Sequence, residues 1–415
     1  MTASGSVRSV GERPVVRARP RHRLTRLVLT CAAIAAVVAV AVVGWARWSV
    51  ADGGADWTAH VPGAIRVADH DARRVLLATD DGFTVLDRRD GTVRADRQLD
   101  VMATDYAFVD GGVLVSGAGA RGVLTDRGEW AWREETPDRS IVAVGPARDV
   151  VVLRDAATEM LLGRDARSGE DRWAHPAVGI ARPSTEPRSL VAARLRATVG
   201  RTLVRVEDGT AVGATSPTAT VRTGRDAAVV HDGCDLQIVR PGGEVVAVDG
   251  PGETNACTVT APAGEYAYVE VDHSQLFALD LASASMRALP LAADAATRPY
   301  LHDAGRWLPA VSPAGLAVGD AATGQLASSP VATGPWPPGR TLPAVGPDAV
   351  LAPARPQWWA RTVGGADGPA LMLRRPDGRE VATYQTDGAD VREAQVLGRR
   401  EAVLVRDDGE VAMVR

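Results

Sequence analysis

Few side chains in this sequence have the types and spacing needed for chemistry. Seven histidines occur, His22, His60, His70, His175, His231, His273 and His302. None stands at the HxxxH or HExxH spacing that sets two imidazoles on one helix face for zinc. His70-Asp71 and Asp272-His273 are adjacent acid–base combinations. Both lie in polar, turn-like sequence, where a loop role outweighs general-base work. No GxSxG, P-loop or GxGxxG opens a helix after a strand. Asp80-Asp81-Gly82 and Asp407-Asp408-Gly409 offer carboxylates to a cation such as calcium. They lack the EF-hand ligand spacing and its closing Glu, and both read as hairpin turns. The sequence assigns no catalytic, cofactor-binding or metal-ligating residue.

Two other residue sets have chemical or recognition potential. Cys234 and Cys257 form an even pair, Cys31 being embedded in an apolar run. Outside the cytoplasm such a pair oxidises, so a disulfide is the expectation, with two separate buried thiols as the alternative. There is no CxxC, no vicinal pair and no Cys/His cluster at zinc spacing. Trp358-Trp359, beside Pro353, Pro356 and Gln357, is an aromatic pair that serves either as a binding surface or as core filling.

The elements that must position these residues begin with charge. All 47 basic residues are arginine, as a GC-rich coding bias would produce. Residues 1–26 hold seven arginines against Glu12, a net of +6, while the whole chain is −4, which leaves −10 for the rest. An acidic body excludes nucleic acid as the obvious partner. Leu27 to Ala46 is uncharged over twenty residues, enough to cross about 30 Å of hydrocarbon as a helix. Arg26 and Arg47 bracket it, and Trp45 and Trp48 suit an interface. The arginine excess predicts a cytoplasmic tail (1–26), a single transmembrane helix (27–46), a linker (47–55) and an extracytoplasmic domain (56–415) at the plasma membrane. The alternative is a signal peptide cleaved after Ala51, but both the tail and the apolar run are long for one.

Within that domain one phrase recurs: an apolar strand, then a turn built on Asp and Gly, then another strand. Phe83 to Gly91, Leu161 to Gly169, Leu276 to Asp280 and Gly315 to Gly324 are its clearest copies. The spacing from Gly91 to Gly128, Gly169 and Gly209 is close to 40 residues, which allows four short strands per unit. Forty-two glycines and 26 prolines supply the turns. The ends of the domain match: Arg74 to Arg88 aligns without a gap to Glu401 to Arg415, and the second copy stops after its third strand. Gly54-Ala-Asp-Trp57-Thr-Ala-His60 resembles Gly169-Glu-Asp-Arg-Trp173-Ala-His175, the outer-strand phrase without its unit. The prediction is an all-β fold, a β-propeller of about eight four-stranded blades (seven to nine). Trp57 would complete the last blade beside Val411 and Met413; the rival role for Trp57 is an anchor at the membrane interface.

The phrase Asp-x-x-x-Gly-x-x-x-Trp, best seen at 161–173, resembles the repeat of the PQQ-like (quinoprotein alcohol dehydrogenase-like) β-propellers, which include membrane-linked outer-membrane assembly factors. The resemblance covers most of residues 55–415 and implies the fold. Catalytic members hold calcium with Glu, Asn and Asp beneath the quinone and often carry a vicinal disulfide. Asn255 is the sole asparagine here and no Cys-Cys exists, so no site residue transfers and no cofactor is expected. The functional expectation is a non-catalytic, membrane-tethered module that binds a protein or cell-envelope ligand. The alternatives are a glycan hydrolase with carboxylates in the central channel and a ligand sensor signalling through the span.

Overall fold

A computed structural model of the chain describes residues 55–415 apart from 101–102, 118–119, 137, 181–183, 197, 251–255, 292–297, 300–304, 313–314, 332–343, 346–349, 355–369, 375–379, 386–390 and 399–400. The expected tail, span and linker, and the Trp358-Trp359 pair, lie outside the described residues. Among the described residues no helix is long and apolar enough to cross a membrane.

Every described element is a strand, and the strands pair antiparallel in sequence order into four-stranded sheets. Numbered along the chain, the first eight cover residues 64–98, 103–134, 139–180, 177–214, 220–248, 257–289, 298–331 and 344–385. The third and fourth share the long strand Asp171–Ile180, whose early residues pair with Met160–Asp165 and whose end pairs with Leu190–Leu195. The ninth sheet takes Val391–Gly398, Glu401–Arg406 and Glu410–Val414 from the C-terminus and its outermost strand, Ala55–His60, from the other end of the domain. Trp57 lies opposite Met413 and Ala59 opposite Val411. The described residues thus hold nine such sets, the upper end of the expected range.

Burial explains the sequence pattern. The second strand of a sheet is covered on both faces by its neighbours, so it is apolar throughout rather than alternating. Val75, Leu76 and Leu77 are fully buried, as are Val150 to Leu153 and Ala402 to Val405. The outermost strand Val93–Gln98 instead alternates between exposed and half-buried residues. Each core is shared by two sheets. Val61, Val67, Val75, Leu77, Val403, Val405, Val411 and Met413 form one cluster between the ninth and the first.

The first strands of adjacent sheets converge, with Ala64–His70 touching both Val391–Gly398 and Ala103–Val109. Polar stitches join them there. Asp69 accepts the Phe108 amide at 2.8 Å and the Arg148 guanidinium at 3.0 Å, tying three sheets together. Arg66 pairs with Asp105 at 2.8 Å, and Thr185 donates its hydroxyl to the same carboxylate.

The recurring Asp–Gly–Trp phrase now has a physical meaning. Trp57 of the ninth sheet packs on Gly91 of the first, and its indole N–H donates to Arg88 O at 3.1 Å. A Cβ on Gly91 would sit 2.5 Å from the indole, and the residue has φ +73°, so only glycine fits. Trp132 repeats the contact on Gly169, donating to Ala166 O at 2.8 Å, and Trp173 repeats it on Gly209, donating to Val206 O at 3.0 Å. Where tryptophan is missing, arginine substitutes. Arg97 lies on Gly128 and donates to Asp126 O at 3.3 Å; Arg287 lies against Gly324 and donates to Ala322 O at 2.8 Å. The buried, hydrogen-bonded Trp57 is therefore part of a series of contacts between sheets, which is the physical reason it repeats.

Candidate functional site

The turn chemistry that builds the sheets also lays out a cleft. It occupies about 1030 Å³ along the first sheet, and is reached by Glu401 and Arg415 from the ninth sheet and by Asp126 from the second. Arginines 73, 74, 88, 89, 94 and 415 line it, together with Asp71, Asp87, Asp126 and Glu401. Small apolar patches come from Ala72, Val85 and Ala95. Six guanidiniums against four carboxylates leave an excess of two positive charges, on a body that is acidic overall.

Each lining turn is held by its own aspartate. Asp71 accepts the amides of Arg73 and Arg74, both at 2.7 Å, and the Arg74 Nε at 2.9 Å. Burial pushes the Asp71 carboxyl up, but the Arg73 amide and the Arg74 guanidinium outweigh it and hold it below the usual range. Asp87 accepts the Arg89 amide at 2.7 Å and the Arg94 Nε at 3.0 Å. The Arg94 guanidinium, then the Arg89 amide, keep Asp87 below the ordinary carboxylate range. These are the turn aspartates visible in the sequence, and their oxygens are already engaged.

Arg88 is the hub. Its Nε and Nη2 both meet Glu401 Oε2, at 2.8 and 2.5 Å, and its Nη1 donates to Asp71 O at 2.8 Å. Arg415, the last residue, donates to Arg88 O at 2.9 Å, pairs with Glu401 at 3.1 Å and reaches Asp56 at 2.5 Å. Both ends of the domain thus meet at the cleft wall. Arg73 and Arg89 are exposed and, among the described residues, form no ion pair. They are the guanidiniums free to meet a ligand.

The described lining is charged and includes no histidine. His70, the neighbour of cleft-lining Asp71 in sequence, is half-buried; burial, only partly offset by Asp69, lowers its pKa, and its Nδ1 has no partner among the described residues. It does not bond Asp71, whose oxygens serve Arg73 and Arg74. Exposed His273 meets Glu270 at 3.4 Å rather than Asp272. Among the described residues no group of three His, Cys, Asp or Glu side chains could hold a metal ion. Asp80-Asp81 and Asp407-Asp408 stand at hairpin turns between strands.

The comparisons with known proteins bear on the fold. No family model matches the sequence, and no curated protein sequence does. Solved structures do match. A eukaryotic initiation factor is 9% identical over 80% of this chain and 91% of that one, with a TM-score of 0.51. BamB from Moraxella catarrhalis is 15% identical over 76% of this chain and 98% of that one, with a TM-score of 0.40. Apo AztD from Citrobacter koseri is 12% identical over 76% and 95%, with a TM-score of 0.45. The described residues are all-β, in successive four-stranded antiparallel sheets, an architecture consistent with a β-propeller. At such identities the likeness goes no further than architecture.

Of the residues singled out in the sequence, Trp57, Val411 and Met413 come together at the ninth sheet. Cys234 and Cys257 are joined by a disulfide, with their Cα atoms 5.1 Å apart. It links the turn after Ala228–Asp232 in the fifth sheet to the first strand of the sixth, Cys257–Val259. Sequence reasoning missed the cleft arginines. Their signal was the doubled arginine beside a turn aspartate, at Asp71-Ala-Arg-Arg74 and Asp87-Arg-Arg-Asp-Gly91. Composition hid it, because arginine is the chain's only basic residue type for any purpose.

Proposed function

We propose that this chain is a single-pass membrane protein of the PQQ-like propeller type. In this reading its ring is closed by Ala55–His60, and it binds a protein or envelope ligand outside the cell without catalysing a reaction. The observation that carries the reading is the seam cleft, where two exposed guanidiniums with no ion-pair partner among the described residues stand in a wall of satisfied ion pairs. Such a surface holds a charged partner and has no nucleophile or proton shuttle to transform it. The uncharged Leu27 to Ala46 run and its arginine-rich flank support the tether.

Fractionation and a photo-crosslinking residue at position 89 test it together. The full chain should stay with membranes after alkaline washing, its C-terminus should be open to protease from outside, and position 89 should capture a discrete partner. A washed-off chain sinks the tether; no captured species from position 89 sinks the binding site.

A hydrolase is the second reading, favoured by Glu393. Burial pushes this carboxyl up to about 7, while Arg66 and the Val67 amide pull the other way. Arg66 also holds Asp105 in an ion pair. A carboxyl pushed up by burial and a second carboxylate, both near one guanidinium, resemble the acid and partner of a glycosidase. Hydrolysis of envelope glycans by the full chain, abolished in Glu393→Gln, would establish this reading; no turnover would remove it.

A further inference from the structure

We propose that the seam cleft takes an acidic peptide segment of a partner protein, extended along the free edge of the strand Val93–Gln98; this rests on the binding reading above and names the ligand class. Two observations on independent chemistry point there. The first is charge: Arg73 and Arg89 are exposed and have no ion-pair partner among the described residues, in a cleft whose side chains leave an excess of two positive charges. Guanidinium forks elsewhere in the chain close on carboxylates. Arg306 grips both oxygens of Asp320, at 2.9 and 3.1 Å, and Arg88 grips Glu401. A free fork of the same kind is complementary to a carboxylate on an incoming chain.

The second observation is the backbone. Arg94 and Ala95 put the outermost strand of the first sheet into the cleft wall. Among the described residues that strand pairs only with Gly82–Asp87, so one row of its amides and carbonyls has no strand partner there. Val93 beside them is 54% exposed, an apolar contact for a side chain of an added strand. An extended peptide satisfies both features: its backbone joins the ladder, and alternate residues point to one side, toward the guanidiniums. A phosphate polymer uses the charge but leaves the strand edge unmet. It would also set a dense row of negative charge against Asp71, Asp87, Asp126 and Glu401. A peptide spaces its carboxylates, so each can meet a guanidinium while apolar residues pass the acidic groups.

Fluorescence anisotropy on the full chain in neutral detergent micelles tests this. The probe is a labelled decapeptide of alternating Glu and Val, blocked at both ends. Binding should weaken about tenfold in the Arg73→Ser, Arg89→Ser double variant and should weaken with added salt. Methylating alternate backbone nitrogens of the probe should also abolish binding, because the ladder bonds are lost. Both arginines lie outside the ion-pair network, so the double variant should melt like the parent. Arg89→Glu should acquire binding to the matching Lys–Val peptide. Equal binding by parent and double variant overturns the proposal, as does tighter binding of inorganic polyphosphate or short-chain phosphatidylglycerol. A partner crosslinked elsewhere on the domain, with cleft variants silent, would keep the binding reading and remove this site from it.

Discussion

The seam between the ninth and first sheets and the seam between the fifth and sixth solve one problem by different chemistry. Both must hold two sheets face to face. The first does so across nearly the whole domain, through strand capture, an indole and arginine. Ala55–His60 pairs with Glu410–Val414, Trp57 docks on Gly91, and Arg88 clasps Glu401 with side chains 16% and 26% exposed. The second has neither tryptophan nor glycine at those places. Ala284 occupies the glycine position at φ +54°, and Arg240 donates to Ala282 O at 2.8 Å. Here the Cys234–Cys257 bridge, closing only 23 residues, adds a covalent link. Where the docking pair is lost, a staple stands. The difference teaches that the seams fail under different conditions, one by mechanical or packing loss and one by reduction.

Deleting residues 55–60 should break the comparison hardest. It strips the outer strand from the ninth sheet, exposes Val411 and Met413, and removes Trp57 from Gly91. The exposed ladder edge then invites aggregation. Size-exclusion chromatography and circular dichroism of the full chain lacking those residues should show loss of the cooperative melt. A melt like the parent's would mean that strand capture contributes little. Trp57→Ala is the milder form. A buried tryptophan truncated to alanine costs about 3–5 kcal/mol. Denaturant titration should register it, and a loss below about 1 kcal/mol would contradict the docking role.

The staple comes next. Replacing both cysteines by serine should cost about 3 kcal/mol by loop entropy, and reductant should give the parent the same loss. Reductant should leave Trp57→Ala and parent separated by the same margin, because the two seams share no residues. A margin that collapses on reduction would show that they are coupled. Ala284→Gly should act in the opposite direction. It relieves a positive φ at a residue with a side chain and should stabilise the sixth sheet by roughly 1 kcal/mol. That gain, read by the same titration, should survive reduction.

What was legible in the sequence follows the same division. The repeat, the strand handed over from Ala55–His60 and the cysteine pair could all be read, because each leaves a residue type at a fixed spacing: Asp and Gly in turns, Trp after them, Cys outside the repeat. The second strands could be read as apolar runs such as Val75 to Leu77, because burial on both faces forbids alternation. The cleft could not. Arg88 and Arg415 meet only because the ends of the domain do, and a sequence with no lysine gives structural and ligand-facing arginines the same spelling. Arginine in place of tryptophan, at Arg97 and Arg287, was equally hidden. Its guanidinium offers the same turn an N–H donor, but shares neither the shape nor the hydropathy that marks the repeat.

The smallest expected effect separates the seams by pH. Glu393 stands on the ninth sheet's first strand, near Arg66 of the first. The first-sheet strand Ala64–His70 carries Arg66, Asp69 and His70, Arg66 pairs with Asp105 of the second sheet, and Arg392 and Asp407 stand nearby on the ninth. Burial raises the Glu393 pKa from its ordinary 4.5 to about 7. The folded state therefore binds a proton more tightly than the unfolded chain does. Its contribution is complete below about 4.5 and is lost as pH climbs through about 7. Glu393→Gln should flatten this part of the pH–stability curve and raise stability above neutrality, with little change in acid. The disulfide variants leave Glu393 in place and should keep its part of the slope; His231 beside the bridge, whose pKa burial lowers, is the fifth sheet's own titrating group. If Glu393→Gln leaves the slope between pH 5 and 7.5 untouched, the carboxyl is solvated and contributes nothing to the proton sensitivity of the ninth–first seam.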